Sequence, residues 1–97
     1  MSKVIFRESA EREFGRLSGV QRKAIFDKLK SLESNPYPAD SKTLDKYAPL
    51  RRIKAGNVRA VYDPKPDSRD RIFILRIGFD HSIYDLDELV KEYHSDE

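Results

Sequence analysis

At 97 residues, with 38% hydrophobic content and ten aromatics, the chain has material for one core and is read as one domain spanning 1–97. The absence of cysteine excludes a disulfide framework, thiol catalysis and a thiolate metal site. No apolar run approaches the roughly 20 residues of a membrane span and no signal-peptide core opens the chain, so a soluble, cytoplasmic protein without membrane contact is expected.

Charge is abundant and unevenly placed. Nineteen Lys and Arg against 17 Asp and Glu give a net +2. Residues 51–76 hold eight basic side chains and three aspartates, a local +5. Residues 80–97 hold seven acids and only Lys91, a local −6. A basic middle and an acidic end point to a polyanion site with a separate polar terminus.

In chain order, Lys3 to Arg7 reads as a short strand, with Val4 and Phe6 on one face. Ser9 is the candidate N-cap of a helix from about Ala10 to Leu17, striped by Ala10, Phe14 and Leu17. After a break at Ser18-Gly19, a second helix is predicted from about Val20 to Ser34, with Ile25, Leu29 and Leu32 inward. Asn35-Pro36-Tyr37-Pro38 ends it, since proline cannot donate and restricts its predecessor. Residues 39–49 look irregular, anchored by Leu44 and Tyr47.

Three strand-like runs follow. In the first, Arg51, Ile53 and Ala55 alternate with Arg52 and Lys54. Ala55-Gly56-Asn57 supplies a hairpin turn. In the second, Val58, Ala60 and Tyr62 share a face and leave Arg59, Val61 and Asp63 on the other. The third, Ile72 to Ile77, is apolar on both faces apart from Arg76, as suits a covered central strand. Leu86, Leu89, Val90 and Tyr93 then give a short terminal helix from about Asp85. The expected fold is α+β: an N-terminal strand and a helical hairpin packed on a small twisted antiparallel sheet, with a short C-terminal helix.

Arg52, Lys54 and Arg59, with Arg76 as a further candidate, can form a phosphate clamp. Fixed cations on one sheet surface hold an RNA backbone and stabilise charge that builds up in a transition state. The same pattern also fits a solvated sheet face, and Arg76 fits pairing with a carboxylate. Whether Arg59 shares a face with Lys54 depends on strand register, which alternation alone leaves open. Tyr62 and Tyr84 are candidates for base stacking or for lids on the core. His81 can serve as a general acid or base, or be an ordinary loop histidine. Two histidines, His81 and His94, without clustered carboxylates make a poor metal site, and no cofactor motif is present.

The order and spacing of these pieces resemble the RelE/ParE superfamily of bacterial and archaeal toxins from type II toxin–antitoxin pairs. The resemblance spans nearly the whole chain. It rests on Ala10, Phe14 and Leu17 after the first strand, Leu32-(x)3-Pro36, and Leu44 before the sheet. Its main part is Leu50-Arg51-Arg52-Ile53-Lys54-(x)4-Arg59-Ala60-Val61-Tyr62, followed by Ile77-Gly78-(x)4-Ile83-Tyr84. It implies a RelE-like fold, a cognate antitoxin as partner and one of two targets.

RelE-like members are metal-independent endoribonucleases (mRNA interferases) that act on mRNA in the ribosomal A site, the 2′-hydroxyl attacking the adjacent phosphate. On that pattern the catalytic candidates are Lys54, Arg59, His81 and Tyr84, and the RNA-binding candidates are Arg51, Arg52, Tyr62 and Arg76. ParE-like members poison DNA gyrase, and an inactive antitoxin-binding relic is a third outcome. One departure stands out: Asp80 occupies the place where the family commonly carries an arginine. An acid beside a scissile phosphate repels it by about a few kcal/mol at low effective dielectric. His81 can take over as general acid; otherwise the site is crippled.

Overall fold

Alternation of apolar side chains sets the architecture. The structure, a computed structural model, describes residues 2–79 and 81–95. Five strands form one sheet: β1 (Lys3–Phe6), β2 (Lys42–Thr43), β3 (Arg51–Ala55), β4 (Val58–Tyr62) and β5 (Arg71–Gly78). Their order is β1-β5-β4-β3-β2. Two helices, α1 (Glu8–Gly15) and α2 (Gly19–Ser31), follow β1, and α3 (Asp87–Ser95) closes the chain.

Each face of the sheet carries a packed cluster, built by a different part of the chain. Ile53, Val58, Ala60, Tyr62, Ile72, Ile74 and Ile77 meet Ala10, Leu17, Ile25, Leu29 and Leu32 of the helical hairpin region. On the opposite side Val61 and Leu75 meet Leu50, Ile83, Leu86 and Tyr93, with Leu44 and Tyr47 packed alongside as anchors. Each fully buried aliphatic contributes about 1.5–3 kcal/mol, so these two clusters dictate which side chains turn inward. A one-residue slip of any central strand would reverse them all.

Several sequence expectations need correction. The sheet is mixed, because β1 pairs with β5 in parallel while every other pairing is antiparallel. The α1 and α2 hairpin that follows β1 carries the chain away before the middle strands form, so β1 reaches the sheet by a crossover. Within residues 39–49, regarded as irregular, β2 pairs with β3 and a 3-10 turn covers Asp45–Tyr47. Two residues are too few for an alternation signal.

Ser9 is not a cap. It lies inside α1 and its hydroxyl donates to the Leu75 carbonyl at 2.7 Å, so the helix begins earlier, after Arg7. Ser18 is the residue that caps a helix: it accepts from Gln21 N–H, and the Gln21 side chain accepts from Ser18 N–H in return. The second helix stops at Ser31, before the prolines. Leu32 and Glu33 close its last turn with tight bonds to the Leu29 and Lys30 carbonyls. The hairpin between β3 and β4 turns at Gly56, whose φ of 61° suits a residue without Cβ.

Polar groups tie the outlying elements down. Glu33 accepts from the Val4 N–H at 2.9 Å and so satisfies a donor of edge strand β1. Tyr93 of α3 donates to buried Asp63 at 2.6 Å. Tyr47 donates to Asp87 at 2.6 Å and accepts from Leu86 N–H, fixing the start of α3. No described helix is long and apolar enough to cross a membrane.

The Val4 N–H, joined by Lys30, holds the Glu33 carboxyl below its ordinary value. A carboxyl depressed by folding adds stability above its unfolded pKa and loses it as pH falls through the folded one. Urea unfolding followed from about pH 7 down to about pH 3 therefore shows a steeper loss for the wild type than for Glu33→Gln. Parallel curves would remove Glu33 from the acid response.

Candidate nucleic-acid interface

The register between β3 and β4 resolves what alternation left open. Lys54 lies directly opposite Arg59, and Arg52 lies opposite Val61. Residues opposite one another in an antiparallel pair share a face, with Cβ atoms about 5 Å apart. Val61 faces the Leu50 and Leu86 cluster. Arg52, Lys54 and Arg59 therefore all project on the face away from the helical hairpin. Among the described residues, no carboxylate pairs with Arg52 or Lys54.

The aromatic partner comes from beyond β5. A 3-10 turn over His81–Tyr84 brings the Tyr84 ring under Arg52, with the guanidinium 5.9 Å from the ring centroid. Tyr84 is half-buried against the α3 side of the sheet. Gly78 makes this seat possible. It lies opposite Arg59 at the end of β5, and a Cβ there would drive into the Ile83 side chain. The bare glycine lets Ile83 sit on the strand, and Tyr84 follows.

Three residues nominated as RNA contacts do not join this group. Arg51 lies on the hairpin side, where its guanidinium donates to Ser41 Oγ and the Ser41 carbonyl and to Thr43 Oγ1, and stacks over Tyr37 at 5.2 Å. It is a structural strut, because strand parity sends it opposite to Arg52. Tyr62 is fully buried on that same side, its hydroxyl donating to the Pro36 carbonyl at 2.7 Å, so it cannot stack on a base. Arg76 holds Glu13 of α1 through both Nε and Nη2, at 2.8 Å for the shortest contact. The same carboxylate accepts from Ile77 N–H, so that arginine closes a strand–helix joint. Asp80 and the His81 side chain lie outside the described residues.

One basic residue was missed. Lys42 of β2 lies directly opposite Arg52, so a fourth cation stands on the same face, exposed and clear of any described carboxylate. Its strand has two residues, and no periodicity could have singled it out.

The cluster carries an internal cost. Like charges directly opposite in a sheet destabilise it by about 0.2–1 kcal/mol per pair, and here Lys42–Arg52 and Lys54–Arg59 are two such pairs. Burying Ile53 and Val58 outweighs that cost, so the fold tolerates the pairs without benefiting from them. What the geometry offers in return is a compact field of positive charge beside an aromatic ring.

The chain and its fold meet a clear match among known proteins. The family model described as the ParE toxin of type II toxin–antitoxin systems matches residues 4–84. The chain therefore belongs to that toxin family, within the RelE/ParE superfamily. No curated protein matches.

Among solved structures, an arginine-to-alanine double mutant of the Escherichia coli toxin RelE in the free state is similar at 22% identity and a TM-score of 0.75, over 94% of this chain and 96% of that one. The toxin in the intact E. coli RelBE toxin–antitoxin complex is 23% identical with a TM-score of 0.70, over 82% of this chain and 98% of that one. The archaeal RelE–RelB complex from Pyrococcus horikoshii gives 20% identity and a TM-score of 0.65, over 78% and 91%. These likenesses establish the RelE fold.

Gly78→Ala should force Ile83 off the strand and lower stability by about 1–3 kcal/mol, the usual cost of overpacking. Urea unfolding measures it. A neutral effect would mean that the Ile83–Tyr84 turn moves freely and that Gly78 does not seat it.

Proposed function

We propose that this toxin is an endoribonuclease that cuts mRNA in the ribosomal A site, held in check by a cognate antitoxin. The observation that carries the reading is the direct pairing of Lys54 with Arg59, with Arg52 one alternation away and Tyr84 beneath it. Cleavage of RNA by its own 2′-hydroxyl needs charge stabilisation more than a protein nucleophile.

In this scheme the 2′-hydroxyl gives up its proton to a solvent water, and the Lys54 ammonium stabilises the developing alkoxide. That oxygen attacks the adjacent phosphorus, and Arg59 holds the non-bridging oxygens as negative charge accumulates. The bond to the 5′-oxygen breaks, leaving a 2′,3′-cyclic phosphate and a 5′-hydroxyl once that oxygen takes up a proton. His81, at the start of the turn that ends in Tyr84, is the candidate donor of that proton. Tyr84 orients the nucleotide by stacking, and Arg52 binds the backbone. The 97 residues act as a single toxin domain in the cytoplasm, where translating ribosomes are found.

The antitoxin partner is supported by the family and by relatives crystallised as RelB–RelE complexes. Its natural contact is an acidic or extended segment laid over the basic face. A second reading, poisoning of DNA gyrase as in ParE-like toxins, is favoured by the ParE description of the matching family. An inactive antitoxin-binding relic is the outcome if neither activity appears.

The test is cleavage of a translated mRNA with ends mapped. Lys54→Ala and Arg59→Ala should each lower the rate by about 10²-fold or more, the scale set by removal of one transition-state donor. Equal cutting by wild type and both variants would overturn the assignment, as would no cutting by any. Loss of gyrase supercoiling activity at toxin concentrations that leave mRNA intact would establish the second reading instead.

A further inference from the structure

We propose that the sheet grips two consecutive phosphates of one RNA strand, Lys54–Arg59 holding the scissile phosphate and Lys42–Arg52 the neighbouring one. This rests on the RNA reading above but concerns binding, which is measurable without catalysis.

The geometry comes from register alone. Lys42 is opposite Arg52 and Lys54 is opposite Arg59, so the four cations form two cross-strand pairs on one face. Arg52 and Lys54 are two residues apart on β3, about 7 Å along the strand, and the pairs are offset by one strand, about 5 Å across. Each pair therefore centres about 8 Å from the other. Long, flexible lysine and arginine side chains can converge from there on successive phosphates of an extended strand.

Tyr84 lies against Arg52, one member of the second grip, so a base of the bound strand can stack beside it. A lysine on an edge strand often serves only to discourage edge-to-edge pairing. That role would be met as well opposite a neutral residue. Facing Arg52, Lys42 adds repulsion that a guard residue does not need.

The test uses two probes with every ribose 2′-methoxylated, so that neither can be cut: a dinucleotide with one phosphate and a trinucleotide with two. Binding to wild type, Lys42→Ala, Lys42→Arg and Lys54→Ala is followed by NMR titration at several salt concentrations. For the wild type, the second phosphate should tighten binding about tenfold and steepen the log–log salt slope by about 0.7, one further counterion-releasing contact on a single strand. Lys42→Ala should abolish both gains and leave the one-phosphate probe unaffected, while Lys42→Arg restores them. Lys54→Ala should weaken both probes.

An unchanged two-phosphate gain in Lys42→Ala overturns the two-grip arrangement, as does wild type that binds neither probe. A gain lost in Lys42→Ala, from a toxin that cuts no translated mRNA, upholds the two grips and rejects the nuclease. Normal mRNA cleavage with no Lys42 dependence in binding does the reverse.

Discussion

The pairing of β3 with β4 is the constraint on which the candidate site depends. It sets Lys54 against Arg59, two cations with nothing to gain from each other, next to the turn that joins the two strands. The register is not chosen for them. Ile53, Val58 and Ala60 are buried to within 2% of fully covered and fix the strands against the helical hairpin. Their burial is worth several times the repulsion across the sheet, and the cations follow because alternation leaves them only the other face.

That other face is only partly covered. The end near Asp63 is closed by α3, with Tyr93 hydrogen-bonded to the Asp63 carboxylate and Leu86 and Ile83 packed on Val61 and Leu75. The hairpin end, near Gly56, carries Lys54 and Arg59. Between the two lies the turn that ends in Tyr84, seated through the missing Cβ of Gly78. The fold thus keeps one region of the sheet covered and another charged, joined by an aromatic side chain. A toxin restrained by an antitoxin suits such a division, since the charged region is accessible to a nucleic acid or to an acidic partner.

Much of this was legible from residue types and spacing. The three middle strands, the two helices and the terminal helix all follow from apolar periodicity, and Gly56 marks the turn where the chain reverses. Face assignments within a strand were also legible: Arg52 and Lys54 oppose Ile53 as alternation requires. What could not be read was anything set by contacts across the sequence. Pairing of β1 with β5, the partner of Arg59 and the existence of β2 all depend on which strands meet. Arg51 and Arg76 show the same limit at the level of single side chains. Both sit in the basic stretch, yet one braces the loop at Ser41 and the other holds Glu13, 63 residues away. Tyr62 looked like a stacking platform because tyrosine suits that task, but its parity with Ile53's partner Ala60 sends it into the core.

The most direct test of this account is a double-mutant cycle on Lys54 and Arg59, each replaced by threonine, with stability measured by urea unfolding at low and at high salt. Direct opposition of two cations predicts an unfavourable coupling of about 0.2–1 kcal/mol at low salt that fades as salt rises. A coupling that is zero or favourable at low salt would mean the two side chains do not share the site, and the charged face would lose its centre.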